Sequence, residues 1–115
     1  MIPLALSRIN IMNTSPEFKT ALDRFVSEAQ AVCDLFRTQN FPTLPRETLS
    51  VDPGRRYVRI WRNGIQKMAH CFVDSTNGDV LMCATWKAPA KHARGNVYQG
   101  QASDSVGPHG AHYLT

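Results

Sequence analysis

The hydrophobic period of this chain changes once, around residue 42, and that switch limits the possible folds more than any other feature. Before it, Phe18, Leu22, Phe25, Val26, Ala29, Val32, Cys33 and Phe36 recur at i, i+4, i+7 and i+8. This is the spacing of an amphipathic helix with one broad apolar stripe. Ser15 is placed to cap the first turn, Pro16 suits the first helical position, and Glu17 favours the positive end of the dipole. Asn40-Phe41-Pro42 stops the pattern, because proline disfavours helix in the residue before it. A helix over residues 15–39 follows, roughly 35 Å long at 1.5 Å per residue.

After a connector containing Pro42, Pro45 and Pro53, the pattern alternates. Strands are predicted over 56–62 and 66–74, joined at Asn63-Gly64, the strongest two-residue hairpin signal. Asn77-Gly78 marks a second turn before a strand over 80–86, and Thr48–Val51 forms a further short strand. From Lys87 the chain is rich in small residues and reads as a basic loop and an irregular tail, with order at Asn96–Tyr98 and Ala111–Leu114. Residues 1–13 read as a loose extension. The fold class is therefore α+β in a single domain: one long amphipathic N-terminal helix packed on an antiparallel β-meander of three to four strands.

A type I′ turn at Asn63-Gly64 sets a register with Tyr57 opposite His70, Val58 opposite Ala69 and Arg59 opposite Met68. Val58, Ile60, Ala69, Cys71 and Val73 then share the face that suits the helix. Tyr57, Arg59, Trp61, Met68, His70 and Phe72 share the other, where aromatic and basic side chains interleave. Such a surface suits bases stacked on rings and phosphates met by cations. Burial under the C-terminal 25 or so residues or a second subunit is the more common fate of such a face, since a free apolar face is a liability.

Charge sharpens the contrast between the two halves. The whole chain has 13 basic and 9 acidic residues, a formal +4. Residues 1–55 contain six of each and sum to zero, whereas residues 55–96 hold eight basic residues against Asp74 and Asp79. The segment Trp86–Asn96 leaves a strand and is expected to form a Pro-started helical turn ended by Gly95. Lys91 and Arg94 would then project from one side, among small residues that let a polyanion approach. Lys87 stands at the strand exit. It is not a Walker loop, because the GxxxxGK[ST] spacing is absent.

Catalytic constellations are thin. His109 and His112 form an H-x-x-H pair in a Gly/Pro setting without a nearby Cys or Glu to complete a metal site. His70 and Cys71 are strand neighbours and should point to opposite faces, so they could meet only at a bulge. Asp74, Asp79 and Asp104 make no acid/base dyad, and Ser15, Ser50 and Ser75 stand in cap or turn contexts. No catalytic residue, cofactor or metal is expected, and enzyme activity is the least supported class. Cys33, Cys71 and Cys83 are neither even in number nor dense, which reads as reduced thiols in a cytoplasmic protein. A three-residue loop at Asn77 would set Cys71 opposite Cys83, but a disulfide is not expected there. Met1–Leu6 lacks the charge order and cleavage site of a signal peptide. No apolar run approaches the 18 or so residues of a membrane span, so no membrane partner is expected.

Gly78-Asp79-Val80, Trp86-Lys87-Ala88-Pro89-Ala90-Lys91 and Ala93-Arg94-Gly95-Asn96 resemble a group of small proteins encoded by tailed bacteriophages. Its members are similar also in a hairpin carrying His-Cys-Phe, here His70-Cys71-Phe72, and in a Gly/Tyr-rich end, here 107–114. The resemblance covers about residues 56–115. It implies a protein acting in the cytoplasm of an infected bacterium, and it implies no reaction.

Two functional expectations follow. In the first, the chain binds a single-stranded nucleic acid or a nucleotide. Tyr57, Trp61 and Phe72 stack, Arg59, Lys87, Lys91, His92 and Arg94 meet phosphates, and Asn96 reads a polar edge. In the second, the same aromatic face docks on a protein, as an inhibitor or adaptor of a host protein or as a homodimer, since Tyr, Trp, Met and Arg are enriched in interface cores.

Overall fold

A computed structural model of the chain describes residues 15–112. The extension expected at 1–13 and the end of the tail lie outside the described residues. Helix α1 spans Pro16–Asn40, opened by the Ser15 hydroxyl accepting from the Phe18 amide at 3.0 Å and closed by Phe41, whose amide donates to the Arg37 carbonyl at 2.7 Å. The strands are β1 (Thr48–Asp52), β2 (Tyr57–Asn63), β3 (Lys67–Asp74), β4 (Asp79–Cys83) and β5 (Pro89–Asn96). They form one antiparallel sheet in the order β1-β2-β3-β4-β5, a meander in which every strand pairs with its sequence neighbour. The architecture is the expected α+β class, a helix on an antiparallel sheet.

The sheet has one strand more than expected, because residues 89–96 form β5 rather than a helical turn. Its composition of Ala, Lys, His, Arg and Gly gives little intrinsic strand preference; pairing with β4 decides it. The β2–β3 register also differs. Asn63 pairs with Lys67 across a three-residue loop, and Gly64 lacks the positive φ that a type I′ turn requires. Tyr57 therefore lies opposite Asp74, Val58 opposite Val73 and Arg59 opposite Phe72. A bulge follows, so that Ile60 pairs with Cys71 but Trp61 pairs with Ala69. His70 is the extra residue, and it leaves the aromatic face to which the sequence assigned it.

The core lies between the sheet and α1. Phe18, Ala21, Phe25 and Ala29 from the helix meet Val58, Ile60, Cys71, Val73 and Val80. The helix buries most along its N-terminal half, whereas Leu35 is exposed and Val32, Cys33 and Phe36 are half-buried. At about 37 Å, 25 helical residues outrun strands of seven or eight. The last turns of α1 thus overhang the sheet.

The tail packs on this same face, beside the helix. A short 3-10 turn (Ala102–Asp104) and a small hairpin, β6 (Val106–Gly107) with β7 (Gly110–Ala111), add Ala102, Val106 and Ala111 to the core, with Val97 leading into them. Arg24 donates to the carbonyls of Val97 and Gly100, while Glu28 accepts from Arg24 and from the Ala102 amide, both at 2.9 Å. The Ala102 amide chiefly holds the Glu28 carboxyl below its usual range. From the sheet side, the His70 ring faces the Gly107 carbonyl at 3.2 Å, and Arg94 donates to the His112 carbonyl at 2.9 Å. Gly95 leaves room for the buried Ser105, whose hydroxyl would lie 1.8 Å from a Cβ added at that glycine.

Candidate functional site

The other face of the sheet carries no described secondary structure over it. Only the loop from β4 to β5 folds back, held by the Thr85 hydroxyl accepting from the amides of Lys87 and Ala88, each at 3.1 Å. This loop lays Trp86 against Trp61, ring centroids 6.1 Å apart and tilted by 63°. Arg59 stands over the Trp86 ring at 4.4 Å, donates to the Trp86 carbonyl at 3.3 Å and is paired with Asp52 at 2.9 Å. Lys67 stands over Trp61 at 4.7 Å. Cations on aromatic faces contribute about 0.5–1 kcal/mol each at exposed sites, so these contacts order the side chains without sealing them.

Asp52 is held below its ordinary value first by Arg59 and then by the neighbouring Trp61 indole N–H. That N–H approaches Asp52 without closing a well-formed hydrogen bond. It and the Arg59 Nε–H are both buried and without an acceptor. An unmet buried donor costs about 1–3 kcal/mol, so both weigh on the stability of this face.

Next to the tryptophans is a hollow of about 350 Å³. Tyr57 and Phe72 line it, edge to face at 6.4 Å, with Arg55, Arg56, Arg59 and Lys87 among its other walls. Arg56 is committed to Asp74 at 3.0 Å and Arg59 to Asp52. Arg55 and Lys87 have no acidic partner among the described residues and are exposed.

The residues singled out in the sequence are thus divided. Tyr57, Arg59, Trp61, Phe72 and Lys87 come together on this face. Lys91 and His92 are exposed on the edge strand β5. Arg94 is tied to the tail, and Asn96 stitches a turn, donating to the Asn77 carbonyl at 2.9 Å and Asp79 at 3.0 Å while accepting from the Tyr98 amide at 2.9 Å. Sequence reasoning did not assign Trp86, Arg55, Arg56 or Lys67 to the face. The Arg55-Arg56 pair just before a strand was a readable signal for the hollow, whereas the return of Trp86 depends on the loop's own fold.

The histidines and cysteines form no such assembly. At the bulge, His70 and Cys71 do meet, Nδ1 to Sγ at 3.3 Å. Burial lowers the His70 pKa to about 4 and raises that of the fully enclosed Cys71 thiol well above normal. A neutral ring beside a neutral thiol is the reverse of an activated nucleophile pair. His112 faces the Ser103 carbonyl at 2.9 Å and His109 packs edge-on against Phe36 at 5.1 Å. Cys33, Cys71 and Cys83 are free; Phe72 pairs with Leu81, so one step along the ladder Cys71 falls beside Met82, not Cys83. Among the described residues no group of three or more His, Cys, Asp or Glu could hold a metal ion, and no helix is long and apolar enough to cross a membrane.

Fold and face together define a small two-layer α+β protein with one sealed and one open side to its sheet. The chain belongs to a family of unknown function (DUF7717), whose profile matches residues 9–108. No curated protein and no solved structure matches it.

Proposed function

We propose that this chain binds a phosphate-bearing ligand, a single-stranded nucleic acid or a nucleotide, through the open face of its sheet. The observation that carries this reading is the hollow in which two uncommitted cations, Arg55 and Lys87, stand beside Tyr57 and Phe72. Bases stack on Tyr57 and on the Trp61–Trp86 pair, and phosphates meet the cations at the rim. Phe72, only 3% exposed and so not the stacking ring expected, backs Tyr57 from below. Lys91 extends the positive surface along β5, with the exposed His92 beside it as a further hydrogen-bonding group. Arg94 and Asn96 act indirectly, by seating the tail and the turn beside that strand. A tailed-phage origin, suggested by the motifs between residues 78 and 96, makes the cytoplasm of an infected bacterium the place where such a ligand is met.

The test is fluorescence anisotropy with a labelled oligothymidylate and, in competition, ADP. Affinity should fall as salt rises, with a log–log slope of about 0.7 per phosphate contact on single strands. The double variant Arg55→Ala/Lys87→Ala should lower that slope by about 1.4. Unchanged binding in the double variant overturns the reading. So does salt-independent capture of a protein partner or a second copy that Trp61→Ala alone abolishes. Absorbance at 260 against 280 nm on the purified protein, followed by mass spectrometry of the extract, identifies any ligand retained from the cell.

A further inference from the structure

The overhanging end of α1 closes over a second cavity, separate from the open face. Its volume is about 220 Å³, and four segments of chain converge on it: the last turns of the helix, the connector, the β2–β3 hairpin and the tail. Phe36 and Phe41, with ring centroids 6.0 Å apart, and Leu44 give it apolar walls. Phe41, Leu44 and Ile65 are exposed by 49%, 49% and 85%, a concentration of large apolar side chains that the fold does not use.

Two arginines enter this apolar setting. Arg37 donates to the Leu44 carbonyl at 3.3 Å, and Arg62 reaches Glu47 at 3.4 Å, both at the long end of hydrogen-bonding distance. Each retains a buried Nε–H without an acceptor. The other carboxylate in the wall, Asp34, is already taken by Arg46 through two contacts at 2.9 and 3.0 Å and by Gln30 at 3.0 Å. Arg37 therefore forms no ion pair among the described residues, although its charge still acts on Asp34. Pockets that bind small molecules combine such apolar walls with a few convergent polar groups.

We infer that this cavity is a binding site for a small hydrophobic carboxylate, its aryl or alkyl body between Phe36, Phe41 and Leu44 and its carboxylate on Arg37 and Arg62. The volume equals about seven waters at roughly 30 Å³ each, which suits a body the size of phenylacetate. A guanidinium fork matches a carboxylate in two-point geometry, which a neutral or cationic head group cannot reproduce.

The test is a ¹H–¹⁵N NMR titration of the full chain with phenylacetate, phenylacetamide and phenethylamine. Phenylacetate should shift amides within 33–47 and 62–65 and bind about tenfold more tightly than phenylacetamide, with phenethylamine weakest, consistent with a charge-assisted contact. Arg37→Gln should bring the acid and amide to near-equal affinity. Ile65→Glu, at an exposed hairpin tip where folding is not at stake, should weaken the acid and spare the amide. No shifts up to about 10 mM, the range expected for a ligand of this size, overturn the inference. So does an amine that binds as tightly as the acid, or concentration-dependent shifts of the same amides without ligand, which would assign the cavity to a second copy. Oligothymidylate binding should be unaffected by Arg37→Gln, so this site and the open face fail or stand separately.

Discussion

The two faces of the sheet are made from the same strands, and they differ in what covers them: helix and tail on one, a single loop on the other. On the helix face the tail brings a partner to polar groups beside it: the Gly107 carbonyl for His70, the Ala102 amide for Glu28, the His112 carbonyl for Arg94. The buried donors left unmet on this side, on Arg37 and Arg62, lie at the overhanging end of α1. On the open face, Arg59 and Trp61 retain unmatched buried donors, and Arg55 and Lys87 stand without acids. Alternation along a strand gives both faces similar side-chain density. The difference arises from where the helix and the residues after β5 were laid down.

The largest expected effect comes from breaking the sealed face. Gly95→Ala puts a methyl into the space of the Ser105 hydroxyl and should cost about 3 kcal/mol in urea unfolding, the upper end for overpacking. Adding Ser105→Gly should recover most of it; a Gly95→Ala protein as stable as wild type would mean the tail does not need this approach.

Acid attacks the same face. His70 is neutral in the fold with a pKa of about 4, against about 6.5 in the unfolded chain. The unfolded state takes up the proton first, so the stabilisation is complete above about pH 6.5 and is lost as pH falls towards 4. At pH 5 the loss should be about 2 kcal/mol. The difference between wild type and His70→Gln should shrink over that window, and a gap independent of pH would remove His70 as the cause.

On the open face the effects on stability should be small. Trp86→Ala should cost about 1 kcal/mol, from its edge contact with Trp61 and its cation contact with Arg59. Arg55→Ala/Lys87→Ala should lie within about 0.5 kcal/mol of wild type, as uncommitted surface cations do. If these variants proved as destabilising as Gly95→Ala, the contrast between the faces would disappear.

What the sequence made legible was local. The cap at Ser15, the stop at Asn40-Phe41-Pro42 and the alternation of β2 and β3 each depend on neighbours within a few residues, and each stands in the structure. The hairpin register did not, because Asn63-Gly64 is overridden by a three-residue loop and the bulge at His70. That bulge also moved Ala69 to the Trp61 side and Met68 to the Arg62 side, the reverse of the faces expected, as a one-residue slip does to every residue beyond it. β5 was illegible because its strand form rests on pairing with β4 and not on its own composition. For the candidate site, Tyr57, Arg59, Trp61 and Phe72 could be grouped by alternation alone. Arg94 and Asn96 could not be separated from Lys87 without knowing which way the tail turns.

A glutamine on α1 has a consequence for the molecule's behaviour in a crowd. The Gln30 amide donates to the Glu47 carbonyl at 2.8 Å and accepts from the Leu49 amide at 2.7 Å. One side chain thereby occupies two backbone groups at the start of edge strand β1, where a neighbouring molecule would otherwise begin to pair. At the opposite edge, β5 opens with Pro89, which has no amide hydrogen, and carries the exposed Lys91. The meander is thus guarded at both margins against edge-to-edge stacking of one copy on the next.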